Sequence, residues 1–128
     1  MGMEIAEHYA DYPVPTLLVL TNHKEAKIYL AHDRTIELQS EMQAGDHGYD
    51  DSLERMTFYK ELNEKLEEAL KGHVERLVVC APGAFKEDLE SALSPAVLER
   101  AGELIPKNLV SLEPEQIVRI LSEGQVDS

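Results

Sequence analysis

The chain has 128 residues, 43% of them hydrophobic, and this length and composition predict a single domain with one ordinary core. Twelve basic and 25 acidic residues give a net charge of -13, which disfavours free nucleic acid and anionic lipid as partners. A single cysteine excludes an internal disulfide, and no segment has the length and hydrophobicity of a membrane span, so we expect a cytoplasmic protein.

The first 15 residues are predicted to form an N-terminal arm. Pro13 and Pro15 lack the backbone N–H that a regular strand ladder needs. Residues 16–21 are apolar without alternation, which is typical of a strand covered on both faces. We therefore expect the folded domain to cover residues 16–122, with a polar tail over 123–128.

Two further strands are predicted after the first, at 26–31 and 35–42, each following a short turn. Three strands with short links form an antiparallel meander. In the third strand Ile36, Leu38 and Met42 are expected on one face. The opposite face is polar and acidic, which makes this strand the best edge candidate.

A loop over residues 43–51 precedes the longest predicted helix. Two glycines and three aspartates mark the loop, and the helix is predicted to end at Gly72. Its inward stripe has helical spacing. The stripe comprises Met56, Tyr59, Leu62, Leu66 and Ala69.

The next segment predicts a strand, a tight turn and the start of a helix, and it indicates where a site would lie. Residues 77–81 are apolar without alternation, which favours a central, parallel strand, and Pro82-Gly83 ends it. Ligands of open α/β sheets bind outside the carboxyl ends of strands. The predicted ligand-binding residues are Asn22, Cys80, Pro82, Gly83 and Lys86.

Each candidate site in the sequence has two possible interpretations. Cys80 is either a nucleophile at a helix start or a small buried apolar residue. Gly83 with Lys86 is either an anion cradle or a plain turn. The loop residues Asp46, His47, Asp50 and Asp51 are either a divalent-metal or acid/base cluster, or turn formers and helix-cap residues. We predict no catalytic residue, metal or cofactor.

The end of the chain completes the predicted fold. Ser94-Pro95 starts a short helix that ends at Gly102, residues 107–112 predict a fifth strand, and Pro114 opens a last helix. The predicted class is α/β, three-layered, with a five-stranded mixed sheet of the ribonuclease-H-like type. The strand ends carry Asn22 and Cys80 where a nuclease needs carboxylates, so nuclease activity is rejected.

Several segments resemble the bacterial family of proteins required for attachment to host cells. That family is itself similar to the middle domain of archaeal and eukaryotic peptide-chain release factors and of Pelota. The resemblance covers residues 16–122. It rests on segments in the same order as in the family, namely 17–20, 26–29, 58–70, 76–89, 93–95, 108–110 and 114–115.

The resemblance implies a five-stranded mixed sheet between helices and a tie to the ribosome. Release factors carry a Gly-Gly-Gln tip on the loop before their long helix. The corresponding residues here are Gly45, Asp46, His47 and Gly48, so the resemblance does not imply peptide release.

The favoured function is therefore a non-catalytic binding or regulatory module near translation, with the ribosome or another protein as partner. A second hypothesis is a small anion- or nucleotide-binding protein, or a hydrolase, using the crevice at Asn22 and Cys80. A third is a homo-oligomeric scaffold, joined through the N-terminal arm or the edge of the strand at 35–42.

Overall fold

A computed structural model describes residues 3–4, 12–22, 24–43, 51–72, 74–102 and 104–126. The strands are β1 (Met3–Glu4), β2 (Tyr12–Thr21), β3 (Glu25–Asp33), β4 (Thr35–Gln43) and β5 (Arg76–Cys80). The helices are α1 (Asp51–Leu70), α2 (Lys86–Ala92), α3 (Pro95–Ala101) and α4 (Pro114–Val126), and a 3-10 turn (Gly83–Phe85) precedes α2.

The strands form one mixed sheet in the order β1-β4-β3-β2-β5. The antiparallel meander β2-β3-β4 is confirmed, and β5 pairs with β2 in parallel. The predicted central position of β5 is wrong, since it neighbours β2 alone among the strands. The run is apolar because helices bury both faces of β5. Burial of the two faces does not determine which strands are hydrogen-bonded to its two edges.

The predicted fifth strand at 107–112 is also wrong. Ile105 makes an isolated parallel bridge to Cys80, with Ala81 N–H donating to the Ile105 carbonyl at 3.0 Å. Pro106 follows at once and has no N–H with which to extend the ladder. The apolar residues Leu109 and Val110 are instead buried from an irregular segment. The comparison with ribonuclease H stays a prediction.

Strand β2 and helix α4 extend beyond residues 16–122, and the predicted domain limits stay a prediction. β2 begins at Tyr12, which pairs with Asp33, and its register shifts between Tyr12 and Thr16. Pro13 and Pro15 fall in this irregular stretch, where their missing N–H groups are tolerated. At the other end α4 continues to Val126, into the segment predicted as a tail.

A β-bulge corrects the predicted faces of β4. Ile28 pairs with Ser40, but Tyr29 pairs with Leu38, so Gln39 is an extra residue on β4. An extra residue reverses the alternation of side chains beyond it. Met42 therefore packs with the core on one face of the sheet, whereas the other end of the strand contributes to the opposite face.

The core has two layers of apolar side chains, one on each face of the sheet, which gives the predicted three-layer architecture. On one face Leu17 and Val19 of β2 pack with residues from α1, α2 and α3. On the other face Leu18 and Leu20 pack with residues from α4. Because alternate β2 side chains serve opposite layers, the whole strand is apolar.

Candidate functional site

Asn22, the first of the predicted ligand-binding residues, shapes the turn between β2 and β3. Its Oδ1 accepts hydrogen bonds from the backbone N–H groups of Lys24, at 2.9 Å, and Glu25, at 2.8 Å. Its Nδ2 donates to Oε1 of Glu25 at 3.3 Å. The amide is thus occupied by local bonds of the kind that stabilise Asx turns.

Helix α1 packs against the carboxyl ends of β2 and β5, where the crevice was predicted. The Tyr59 hydroxyl donates to the Asn22 carbonyl at 3.0 Å. One turn earlier, the Arg55 guanidinium contacts Oδ2 of Asp88 in α2, with Nη2 at 2.8 Å, and lies 5.0 Å from the centre of the Phe85 ring. These contacts join α1 to the turn after β2 through Tyr59 and to α2 through Arg55.

The Cys80 side chain is fully buried. Burial raises the pKa of the Cys80 thiol to about 12, although Lys107 favours the thiolate. A cysteine attacks as its thiolate, and the raised pKa keeps Cys80 protonated near neutral pH. Cys80 therefore has the properties of a small apolar core residue and not those of a nucleophile.

Because the Cys80 thiol is buried, the free energy of unfolding falls at alkaline pH. In the unfolded chain the thiol ionises at its ordinary pKa of 9.0, whereas in the folded protein it stays protonated to about pH 12. The unfolded state is therefore favoured as pH rises above that ordinary pKa. Going from about pH 7.5 to about pH 10, we expect the wild type to lose about 1.4 kcal/mol more unfolding free energy than Cys80→Ala. Urea titrations at both pH values measure the difference, and equal losses would contradict the burial.

Pro82 and Gly83 lie in the turn after β5, and Lys86 begins α2. Gly83 is exposed, and a Cβ atom there would lie 4.0 Å from that of Pro106, an ordinary contact, so the turn does not require glycine. Lys86 Nζ lies 3.9 Å from Glu90 Oε1 on the same helix.

The structure thus brings the five predicted residues to the same end of β2 and β5, where Leu20 pairs with Cys80. It does not place them around either of the two principal cavities of the described chain. Their role in binding stays a prediction. Gly45, Asp46, His47 and Gly48, predicted to correspond to the release-factor tip, lie outside the described residues.

The two cavities lie elsewhere on the sheet. One, of about 930 Å³, lies between the sheet and the second half of α1 and is lined by Leu17, His32 and Lys65, among others. The other, of about 580 Å³, lies at the amino ends of β2 and β5 and contains Arg76, Arg100 and Lys107. Sequence reasoning missed these three cations because they are far apart along the chain.

The family of the chain follows from its sequence as a whole. The family model for bacterial archaeo-eukaryotic release factor family 12 matches residues 18–121. The chain belongs to this family. The predicted likeness to release factors is thereby confirmed, while the likeness to host-attachment proteins stays a prediction. No curated protein matches the sequence.

Solved structures give the same fold for this family 12 protein. An archaeal translation termination factor, aRF1, is 16% identical with a TM-score of 0.59, over 88% of this chain and 39% of the other. The structure of ribosome-bound archaeal Pelota and ABCE1 contains a match of 24% identity and TM-score 0.56, over 87% of this chain and 32% of the other. The family 12 chain thus spans two fifths or less of these proteins.

Among the described residues, no helix has both the length and the hydrophobicity to cross a bilayer. Within the same residues, no three His, Cys, Asp or Glu side chains lie close enough to hold a metal ion.

Proposed function

We propose that this protein is a non-catalytic binding module of the release-factor type that acts beside the ribosome in the cytoplasm. The family match over residues 18–121 carries the proposal. The fold shared with archaeal aRF1 supports it, as does the fold shared with a Pelota that is described bound to the ribosome.

Peptide release forms no part of this proposal. The catalytic tip of release factors is Gly-Gly-Gln, and no two glycines are adjacent anywhere in the present sequence. The segment predicted to replace the tip contains Asp46 and His47, and an acidic loop would be repelled by the RNA around a peptidyl ester. The host-attachment likeness offers no role for any residue and adds nothing here.

The charge of the chain indicates which ribosomal surface it would contact. At a net charge of -13, docking on phosphates is opposed at long range, whereas basic ribosomal protein surfaces attract the chain. Protein contacts release few counterions, so their salt dependence is shallower than that of RNA contacts.

Co-sedimentation with bacterial ribosomes tests the proposal. We expect the chain to pellet with ribosomes at about 50 mM salt, and its affinity to fall less than about 100-fold by about 200 mM, a smaller change than 6–10 phosphate contacts would give. In the same preparation, ribosome-bound peptidyl-tRNA should stay intact.

Each result has a clear consequence. Failure to pellet at the lower salt concentration would contradict ribosome docking. Hydrolysis of the peptidyl ester would contradict the non-catalytic role. A steep loss of affinity with salt would place the contact on RNA and contradict docking on ribosomal protein.

A further inference from the structure

The cavity of about 580 Å³ lies beside β5, between its first residues and the segment around Ile105, which bridges Cys80. The first residues of β5 form its floor, and the last turn of α3 and the segment around Ile105 form two walls. Tyr12 and the end of α4 close it from the other face of the sheet. Its volume is within the usual range for small-molecule sites.

Positive charge is concentrated in this cavity although the chain is acidic. Among the described residues its lining contains Arg76, Arg100 and Lys107, three of the twelve basic side chains of the chain, and one carboxylate, Glu99. Among the described residues, neither Arg76 nor Lys107 has a carboxylate within ion-pair distance. In the described part of the chain these two cations thus have no direct carboxylate partner, although Glu99 lies in the same lining.

A hydrogen bond to the backbone orients the Arg100 side chain. Its Nη1 donates to the Glu75 carbonyl at 3.1 Å, one residue before β5. That bond uses one of the five N–H donors of the guanidinium, so the remaining donors can bind a planar or tetrahedral anion. A cation fixed through the backbone loses little conformational entropy when it binds a ligand.

The rest of the lining is largely apolar. Val78, Ile105 and Ile120 are only partly buried at its walls, above the buried Leu77 and Leu121. An inorganic ion alone would leave this surface in water, whereas a ligand with an apolar body would cover it.

We propose that this cavity binds a small organic anion, with its phosphate or carboxylate held by Arg76, Arg100 and Lys107 and its apolar body against Val78, Ile105 and Ile120. The site is independent of docking on the ribosome, and none of the five residues predicted to bind a ligand lines it.

The probe for this site is 1-naphthyl phosphate, titrated calorimetrically into the full chain. We expect one site, with much weaker binding of 1-naphthol, which lacks the anion, and of inorganic phosphate, which lacks the apolar body. Binding of 1-naphthoate as well would show that the site accepts a carboxylate head. Binding of the phosphate alone would restrict the ligand to organic phosphates.

A matched pair of variants locates the binding. Arg76→Gln/Lys107→Gln removes two cavity cations and should weaken binding by about 30-fold, since each charged hydrogen bond contributes substantially. Lys60→Gln/Lys71→Gln removes two exposed charges, one in α1 and one in the turn just after it, and should leave the affinity within about 2-fold, because distant exposed charges are screened. Thermal melts check that both variants fold.

Three results would overturn the proposal. One is no binding of 1-naphthyl phosphate at about 1 mM, the affinity of a weak ligand. Another is an equal loss of affinity in both double variants, which would show that net charge, and not the cavity, determines binding. The third is binding that inorganic phosphate reproduces, since the apolar wall would then have no role.

Discussion

Replacing Tyr59 with alanine is expected to lower the free energy of unfolding by about 3–5 kcal/mol, the range for large aromatic truncations in a core. The side chain is fully buried in the layer between the sheet and α1. Its ring lies 5.9 Å from that of Phe58, and its hydroxyl donates to the Asn22 carbonyl. Alanine removes the packing and the hydrogen bond together.

Tyr59→Phe separates these two contributions. It keeps the ring and removes the hydroxyl, and the Asn22 carbonyl still accepts a bond from Thr21 Oγ1 at 3.1 Å. We therefore expect this variant to lose only about 0.5–1.5 kcal/mol. Urea denaturation followed by circular dichroism measures both losses. If Tyr59→Ala cost no more than Tyr59→Phe, α1 would not pack on the end of β2 as described.

The elements of this fold were predictable wherever a periodic pattern was long. The predictions of the meander, of α1 and of the parallel β5 each used five or more apolar residues at regular spacing. All three are present in the structure. The position of β5 in the sheet was not predictable, since an apolar run reports on its faces alone. The segment 107–112 failed because Pro106, just before it, stops the ladder after one bridge.

The faces of β4 and the basic cavity could not be predicted, because local sequence patterns do not determine them. One extra residue, Gln39, exchanges the faces of the strand, and no local pattern marks it. Arg76, Arg100 and Lys107 meet because α3 and the segment after it return to the start of β5. Such convergence depends on tertiary structure, which a search for local clusters cannot detect.

The second core layer makes the last helix essential to the fold. Ile117 is fully buried and packs in the cluster that includes Leu18 and Leu20, on the face of the sheet opposite α1. Ile117→Ala is expected to cost about 2–5 kcal/mol, through lost apolar contact and an unfilled space.

The control for Ile117 lies two residues further along the same helix, at Arg119. Its side chain is exposed, so Arg119→Ala should change the unfolding free energy by less than about 0.5 kcal/mol. Urea midpoints of the two variants give the comparison directly. Near-equal values would mean that α4 does not cover the sheet, and β2 would then have no reason to be apolar at Leu18 and Leu20. A large difference would establish that the sheet needs a helix on each face, which is the physical condition that the apolar run of β2 encodes.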